Sequence, residues 1–453
     1  MRQRNKEIFT AECIDLSSEG KGVTFYDGLI VFVDGLFLHE KADIEIEYYR
    51  AGAAYGKIKK LYNPSKDRIQ PKCMVCTACG GCQFQQLNYK AQLKYKQNKV
   101  LNDLVRIAHL EKPIVKETIG MENPYNYRNK IQVPLGYNYK KQIISGFYRE
   151  KSHEIIPIDK CYIEDLRAPK IIKTIKQLMP SFKMPPYDED SGFGLLRHIL
   201  IRTSHYKKEI MVVLVTSKDT FTGRNNFVKE LVRRCPEITT IINNVNERHT
   251  NVVLGEKEET LYGKGFIEDI LCGLTFKISS KSFYQINPIQ CEILYSKALE
   301  LASLNKEDVV LDAYSGIGTI GLIAAKSVKK VLSVEIVKEA IRDGIRNAKV
   351  NSINNVEFIC DDASEYIRKI VANKEKIDVV IMDPPRNGSD LNFLNSVLTL
   401  KPRKIIYISC DPSTLSRDLI TLTKKYDIKD VQPVDMFPMT YHVETICTLE
   451  IKP

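Results

Sequence analysis

The stretch VVLDAYSGIGTIGL, residues 309–322, decides the fold. An apolar strand leads into a turn that contains Gly316 and Gly318, and apolar residues at helical spacing follow. Glycines let a backbone approach a ligand closely, and a helix N-terminus offers free N–H groups. Gly321 completes a G-x-G-x-x-G pattern, which binds pyrophosphate in dinucleotide folds but is a weak signal by itself. The stretch therefore predicts one strand–turn–helix unit of a nucleotide-binding α/β domain.

The rest of the C-terminal region repeats this pattern. From about Pro288 onward, apolar strands such as KVLSVEI, VEFICDD, IDVVIMDPP and KIIYISC alternate with segments of helical period. Buried strands that alternate with helices predict a doubly wound, mostly parallel sheet. Two further strands, in KDVQPVDMFP and TICTLEI, are expected to close the domain.

Acidic residues at the strand ends indicate which ligand this sheet binds. Glu335 ends the strand after the glycine turn, where an acid can accept hydrogen bonds from two ribose hydroxyls. Asp361–Asp362 end the third strand, where an adenine would lie. No later pattern suits a nicotinamide. A ligand with a ribose and an adenine but no phosphate, S-adenosylmethionine, fits this set best.

A thiol and two carboxylates follow later strands. The tetrapeptide DPPR begins with Asp383, and its two prolines fix an extended loop that can hold the carboxylate. Cys410 ends the strand in IIYISCDPSTL just before a helix, whose N-terminus is expected to lower the pKa of the thiol. Glu444 in YHVET is the candidate base, with His442 as a supporting polar group, whereas Cys447 has apolar neighbours typical of a core.

These residue types suit methylation of a pyrimidine carbon. The C5 atom of uracil is a poor nucleophile, but a thiolate that adds to C6 converts the ring to an enolate whose C5 can attack a sulfonium methyl. A base must then remove the C5 proton so that the thiol can leave. The reaction needs one cysteine, one base and a methyl-donor site, and all three are predicted here.

The N-terminal half has a different organisation. Short strands with glycine turns over residues 1–60 predict a small barrel of the OB type. The segment NPSKDRIQP at 63–71 is a predicted linker, and residues 125–285 mix strands and helices, with LTFKISSKSFYQIN counted among the strands. We therefore expect three domains, at 1–62, 63–285 and 286–453.

Composition places the chain among cytoplasmic globular proteins. It has 453 residues, 43% hydrophobic and 27% charged, with no run of 18 apolar residues and no apolar signal core after its first residues. We expect no membrane association. The net charge of +11 permits a polyanionic partner such as RNA.

The twelve cysteines include a dense group. Without a secretion signal, a disulfide framework is not expected. Cys73, Cys76, Cys79 and Cys82 fall within one short segment, and such crowding in a reducing compartment indicates a metal site. By spacing alone, the site could hold zinc or a ferredoxin-like cluster.

Together the motifs resemble a known family. DAYSGIG, SVEIVKEAI, DPPR, YISCDPSTLSRDL and MFPMTYHVET closely resemble the RNA uracil-5 methyltransferases, and the likeness extends over nearly the whole chain. It implies a Rossmann-like class I methyltransferase domain at the C-terminus. It also implies an OB-like TRAM β-barrel at the N-terminus and a central α+β domain that carries an iron–sulfur site.

The resemblance assigns roles to single residues. Cys410 matches the nucleophile and Glu444 the proton acceptor, and Phe283 resembles the aromatic residue near the target base. Ser315 departs from the family, since many members have cysteine there. The predicted methyl-donor contacts are Gln285, Tyr314, Glu335 and Asp383, with Thr319 and Asp362 as further contacts. The implied ligands of a [4Fe–4S] cluster are Cys73, Cys79, Cys82 and Cys161, with Cys76 as an extra cysteine.

The implied activity is S-adenosylmethionine-dependent methylation of C5 in one or two uridines of 23S rRNA, with the target base flipped out of the RNA. A monomer without an obligate protein partner is expected. The alternative substrate is the T-loop uridine of tRNA. Two other interpretations remain: an amino-group methyltransferase that uses DPPR in the manner of DPPY enzymes, and an RNA-binding module with a decayed enzyme fold. A cluster-dependent oxidoreductase is disfavoured, because no flavin or nicotinamide pattern occurs.

Overall fold

The fold is described from a computed structural model, which covers residues 7–149, 152–248, 250 and 252–453. Residues 1–6, at the start of the predicted barrel, lie outside this description. Within the described ranges, no helix is both long and apolar enough to cross a bilayer.

The N-terminal region is a six-stranded sheet, in the order β1-β5-β6-β4-β3-β2, with the predicted strands present. Among the strand pairs described for this region, β4 and β6 alone are parallel. The sheet has its own apolar core, which includes Val31, Val33 and Ile44. Its strands are β1 (Ile8–Glu12), β2 (Asp15–Leu16), β3 (Gly22–Tyr26), β4 (Leu29–Val33), β5 (Lys41–Arg50) and β6 (Ala53–Asn63).

Two helices follow this sheet. The first, α1 (Cys76–Cys79), is a single turn inside the cysteine segment, and it ends at Gly80, whose φ of 67° is left-handed. The second, α2 (Tyr89–Arg106), begins at Asn88, whose side chain accepts a hydrogen bond from the N–H of Ala91. Side chains of α2 are buried against the C-terminal region, so α2 joins the two halves of the chain.

The central region contains a seven-stranded sheet in the order β13-β12-β11-β10-β7-β8-β9, packed against helices α3 (Ala168–Leu178) and α4 (Arg224–Arg234). Its strands are β7 (Lys130–Tyr137), β8 (Ile143–Tyr148), β9 (Ile155–Pro157), β10 (Leu196–Thr203), β11 (Ile210–Thr216), β12 (Thr240–Val245) and β13 (Lys257–Tyr262). A separate hairpin consists of β14 (Ile267–Leu271) and β15 (Leu274–Ile278).

The strand predicted in LTFKISSKSFYQIN is shorter than expected. It ends at Ile278, and the residues after it form a loop. The hydroxyls of Ser279 and Ser282 hydrogen-bond each other at 2.6 Å, and the buried Arg202 binds the carbonyl of Ser282 at 2.7 Å. These contacts satisfy the loop backbone without a partner strand.

The C-terminal region is the predicted doubly wound domain. Its sheet has the order β18-β17-β16-β19-β20-β22-β21; the first five strands are parallel, and β22 is antiparallel to both neighbours. The strands are β16 (Val309–Ala313), β17 (Lys330–Glu335), β18 (Val356–Cys360), β19 (Val379–Met382), β20 (Lys404–Ser409), β21 (Tyr426–Val434) and β22 (Glu444–Ile451).

Helices cover both faces of this sheet, so two apolar cores flank it. The helices are α5 (Pro288–Ala302), α6 (Thr319–Ala325), α7 (Lys338–Val350), α8 (Ala363–Ala372), α9 (Leu391–Leu400) and α10 (Pro412–Leu422). Because β16 to β20 are parallel, their carboxyl ends share one edge, where sheets of this type bind ligands.

Candidate active site

A cavity of ≈ 1360 Å³ lies at that edge. Its walls come from the glycine turn after β16, the ends of β17 to β20, the start of β22 and the loop after β15. The sequence predicted that the catalytic and donor-binding residues meet, and all of them line this one cavity. They are Gln285, Tyr314, Thr319, Glu335, Asp362, Asp383, Cys410 and Glu444, together with Phe283.

The glycine turn has the backbone that the sequence requires. Gly318 has a φ of 74°, and a Cβ there would lie 2.6 Å from the ring of Phe358. Asp312, fully buried at the end of β16, accepts hydrogen bonds from the N–H of Gly321 and the hydroxyl of Ser333, and burial raises its pKa to about 8. Asp312 therefore holds the start of α6 against the sheet rather than contacting a ligand.

Glu335 is fixed by backbone hydrogen bonds. Its carboxylate accepts one from the N–H of Gly316 at 2.9 Å and one from the N–H of Val337 at 2.8 Å. Each carboxylate oxygen can accept a further bond. Glu335 thus presents two oriented acceptors to the cavity, as the binding of neighbouring ribose hydroxyls requires.

The other residues predicted to contact the methyl donor on this side of the cavity lie in different local settings. Tyr314 has a left-handed φ of 64°, and its hydroxyl hydrogen-bonds that of Ser389 at 2.8 Å. Thr319 is the first residue of α6. Asp362 caps α8 by accepting hydrogen bonds from the N–H groups of Ser364 and Glu365, so its carboxylate already has a structural role at the cavity wall.

Gln285 is anchored to the central region. Its carbonyl accepts a hydrogen bond from the side chain of Asn129 at 3.0 Å, and the N–H of Asn129 binds the carbonyl of Ile286 at 2.9 Å. The side chain of Gln285 also hydrogen-bonds the buried Tyr295 on α5. Nearby, Phe283 is 67% exposed, so a large aromatic face is free at the cavity mouth.

The sheet register brings the predicted nucleophile and base together. Strand β20 ends at Ser409, which lies opposite Thr445 in the antiparallel strand β22. Continuing that register by one residue sets Cys410 opposite Glu444, and Cα atoms of such pairs are about 4.5–5.5 Å apart. Asp383, one residue beyond β19, lies near both. A thiol and two carboxyl groups therefore share one corner of the cavity.

Burial changes the titration of both carboxyl groups. It raises the pKa of Asp383 to about 7 and that of Glu444 to about 8. The negative charge of Asp383 raises the pKa of Glu444 further, while the guanidinium of Arg386 lowers it. A carboxyl group with a pKa near neutrality can both accept and release a proton at working pH.

The sequence predicted that the N-terminus of α10 lowers the pKa of the Cys410 thiol, but this pKa is raised in the structure. Burial, followed by the charges of Glu444 and Asp383, raises the pKa of the thiol to about 12, and only Arg386 among the main neighbours lowers it. The helix end is already neutralised, because the Asp411 carboxylate accepts the N–H of Ser413 at 2.9 Å. The thiol is therefore protonated at neutral pH and must lose its proton to react.

Two cavity residues were not singled out from the sequence. Arg386 is the positive charge that acts on Cys410, Glu444 and His442, and its place in DPPR was the available signal. Phe437 forms part of the wall, and its ring centroid lies 5.9 Å from that of His442; its place in MFPMTYHVET was the available signal. Burial, followed by the charge of Arg386, lowers the pKa of His442 to about 4, so this side chain is neutral as a supporting group.

The cysteine segment lies beside Cys161. Cys82 and Cys161 pack against one apolar cluster that includes Met439, and burial raises the pKa of both thiols. The charges of Cys73 and Cys79 also act on Cys82, so these thiols are neighbours. However, among the residues described, no three histidine, cysteine or acidic side chains are placed to hold a metal ion. Cysteine thiolates are suitable ligands for iron or zinc. In this structure, however, the cysteine side chains are not arranged around one metal position.

Sequence comparisons match the chain to RNA methyltransferases. Residues 267–452 match the family model described as tRNA (Uracil-5-)-methyltransferase. An RNA methyltransferase of Oceanobacillus iheyensis is 43% identical over 98% of this chain and 97% of its own length. One from Staphylococcus aureus is 42% identical over 98% of each chain.

A solved structure shares the whole architecture. The tRNA (uracil-54, C5)-methyltransferase of Pyrococcus abyssi, crystallised with S-adenosyl-L-homocysteine, superposes with a TM-score of 0.78. It is 28% identical, and the alignment covers 97% of this chain and 100% of that one. With the relatives above, this match shows that the chain belongs to the S-adenosylmethionine-dependent RNA uracil-5-methyltransferase family.

Proposed function

We propose that the enzyme methylates C5 of uridine in 23S rRNA through a covalent adduct between Cys410 and the target base. The observation that carries this proposal is the proximity of Cys410 and Glu444, which lie one residue beyond the last β20–β22 pair and line the same cavity. A buried thiol beside a carboxyl group with a raised pKa is what addition and elimination on one pyrimidine ring require.

The proposed reaction is an addition to the uracil ring followed by an elimination. Cys410 loses its proton to a neighbouring base or to water, and its sulfur forms a bond to C6 of uracil while the ring becomes an enolate. S-adenosylmethionine would supply its sulfonium methyl group to C5; the methyl–sulfur bond would break as the C5–methyl bond forms, and S-adenosylhomocysteine would be the leaving group. Glu444 takes the C5 proton, the electron pair reforms the C5–C6 double bond, and the sulfur leaves C6. Arg386 stabilises the thiolate, because its positive charge lowers the pKa of Cys410.

The donor would be held on the opposite side of the cavity. Glu335 offers its two oriented acceptors to ribose hydroxyls, and Gln285 and Tyr314 line the same space. Asp383 lies between this group and the thiol. Thr319 and Asp362 remain proposed as further contacts, although capping α8 already occupies part of the Asp362 carboxylate.

The RNA substrate would contact surfaces outside this cavity. The N-terminal sheet is proposed to act as a TRAM-type RNA-binding barrel, and the exposed ring of Phe283 can stack on a flipped base. Lys170, Lys173 and Lys176 recur along α3 and line a second cavity of ≈ 1150 Å³. This lysine face is suited to an RNA backbone.

A specific observation favours the alternative substrate, tRNA. The family resemblance connects an N-terminal barrel and a cysteine cluster with ribosomal RNA. However, the Pyrococcus abyssi protein, which acts on uracil-54 of tRNA, aligns with 97% of this chain. Its alignment must therefore include most of the N-terminal sheet, so this sheet does not separate the two substrates.

Mass mapping of 5-methyluridine in total RNA decides between them. In a strain that lacks the gene, 23S rRNA should lose 5-methyluridine at one or two positions while tRNA keeps its T-loop modification. Restoring the wild-type gene should restore the mark. Loss confined to tRNA would replace the proposed substrate with the alternative, and loss of neither would overturn both.

We also propose a [4Fe–4S] cluster bound by Cys73, Cys79, Cys82 and Cys161. Its support is the clustering of these thiols and their spacing in the sequence. Methyl transfer needs no electron transfer, so these residues would serve to order the segment around Cys82 rather than to react.

A further inference from the structure

A fully buried ion pair lies behind the active-site wall. The Lys96 ammonium on α2 donates a hydrogen bond to the carboxylate of Asp435, and neither side chain is exposed to solvent. Lys96 also donates to the carbonyl of Phe437 at 3.0 Å. The other oxygen of Asp435 accepts a hydrogen bond from the Tyr89 hydroxyl at 2.8 Å, and that hydroxyl accepts the N–H of Met121 at 2.8 Å.

Asp435 is the first residue of the loop that leads to Glu444, the proposed catalytic base. This β21–β22 loop, residues 435–443, leaves the sheet at Val434 and returns at Glu444, and these two residues are cross-strand neighbours. Phe437 and His442 of the loop line the cavity together with Cys410. The loop therefore forms part of the cavity wall near Cys410.

Further contacts from α2 hold the same loop. Gln92, fully buried, accepts the N–H of Met439 at 3.0 Å, and its amide also donates to the Met439 sulfur at 3.4 Å. Lys99 reaches the carbonyl of Tyr441 at 3.5 Å. Met439 has a left-handed φ of 70°, so the loop backbone is in a conformation that needs external support.

Stability alone does not explain this pair. Taking two charges out of water is costly, and apolar residues of similar volume often give an equal or more stable protein. Buried ion pairs can instead fix one arrangement of the groups around them. Here that arrangement includes Phe437 and His442, which line the cavity, and Glu444, which directly follows the loop.

We propose that Lys96 and Asp435 are positioning residues that hold the β21–β22 loop, and through it Glu444, in place for abstraction of the C5 proton. This inference rests on the proposed addition–elimination mechanism. A displacement of about 1 Å in such a wall can slow a reaction about 100-fold. The step affected should be elimination, because Glu444 directly follows the loop, whereas Cys410 directly follows β20.

The test is a double substitution that removes both charges, Lys96→Met with Asp435→Asn. The asparagine oxygen can still accept the Tyr89 hydroxyl, so no buried charge is left unpaired. We expect the Tm to be unchanged or higher and S-adenosylhomocysteine binding to be unchanged. Resolution of the protein–RNA adduct should slow by about 10- to 100-fold, so a covalent band accumulates on denaturing gels. Because elimination then limits turnover, kcat and KM should fall together while kcat/KM changes little.

A second ion pair, in the central region, provides the control. The buried Arg197 and the half-buried Glu189 form a two-bond ion pair in the central region, away from the β21–β22 loop. Arg197→Met with Glu189→Gln removes both charges of this pair and should cause no adduct accumulation. If the Lys96/Asp435 variant does not fold, Tyr89→Phe removes only one hydroxyl of the network and should give a smaller accumulation of the same kind.

The outcomes separate this inference from the proposed function. If Glu444→Gln traps an adduct but folded Lys96→Met/Asp435→Asn and Tyr89→Phe both turn over at the wild-type rate without a band, the positioning role is wrong. The positioning role is also wrong if the activity of Lys96→Met/Asp435→Asn falls only in proportion to its folded fraction. If Glu444→Gln itself traps nothing, the addition–elimination mechanism fails first.

Discussion

Cys410 and Glu444 are neighbours across the open end of one antiparallel strand pair, one residue beyond the Ser409–Thr445 pair. Side chains of directly opposed residues project to the same face of a sheet. The thiol and the carboxyl group therefore reach the same side of a bound base, although they come from segments well separated in the chain. This arrangement allows one group to add to C6 while the other acts at the adjacent C5.

The raised pKa of Glu444 predicts a pH-dependent gain in stability on its removal. Glutamate in an unfolded chain ionises near pH 4.5, whereas burial and Asp383 raise the pKa of Glu444 in the folded protein to about 8. Between these values the folded state binds more protons, so its stability falls as pH rises. Glu444→Gln should raise the Tm at pH 8 by at least about 2 °C, and the gain should vanish near pH 4.

Thermal melts of both proteins across this pH range check the effect. The exposed Glu357 on β18 provides a control: it pairs with Lys330 at 2.7 Å, so Glu357→Gln should not raise the Tm at pH 8. A stability gain for Glu444→Gln that is the same at pH 4 and pH 8 would contradict the raised pKa.

Removing the charge of Glu335 should weaken ligand binding. Its carboxylate accepts the N–H groups of Gly316 and Val337, and a glutamine can offer only one acceptor oxygen in its place. We expect Glu335→Gln to bind S-adenosylhomocysteine roughly 10- to 100-fold more weakly by calorimetry. Glu357→Gln, outside the cavity, should bind as the wild type does. Equal affinity of both variants would exclude Glu335 from the donor site.

The cysteine segment should bind iron. Protein purified without oxygen should be brown and contain about four irons per chain. Cys82→Ser should lose the iron and the colour, whereas Cys76→Ser should keep both. Colourless protein with zinc would contradict the cluster, and loss of iron on changing Cys76 would alter the ligand set.

The lysine face of α3 should contribute to RNA affinity and not to chemistry. Replacing Lys170, Lys173 and Lys176 with alanine should weaken binding of long RNA. The slope of log K against log salt concentration should become smaller in magnitude by about 2. Turnover at saturating RNA should not change. Lys374 and Lys376 precede the amino end of β19, at the edge opposite the active site, so their replacement should leave the slope unaltered. An unchanged slope for the α3 variant would exclude this face from the RNA path.

Local pattern was enough to predict much of the fold. Buried strands that alternate with helices, from VVLDAYSGIGTIGL onward, gave the order of elements in the C-terminal domain, and acids at strand ends gave Glu335 and Asp383. These signals work because parallel strands deliver their carboxyl ends to one edge. The family resemblance added Gln285, which no local pattern singles out.

Other features depend on contacts between distant segments. Strand β22 inserts antiparallel between β20 and β21, and only this pairing brings Glu444 to Cys410. The pKa of the thiol depends on two carboxyl groups from different strands, so a prediction from the helix that follows Cys410 had the wrong sign. The Lys96–Asp435 pair joins α2 to the end of β21, and neither residue carries a motif.

The most direct test of the central claim follows the sulfur of Cys410. With purified enzyme, S-adenosylmethionine and the substrate RNA, Glu444→Gln should give a slow-migrating protein–RNA band. The double variant Glu444→Gln/Cys410→Ser should give none, and Cys410→Ser alone should form no 5-methyluridine by nucleoside mass spectrometry. Normal amounts of 5-methyluridine from folded Cys410→Ser would contradict the covalent mechanism.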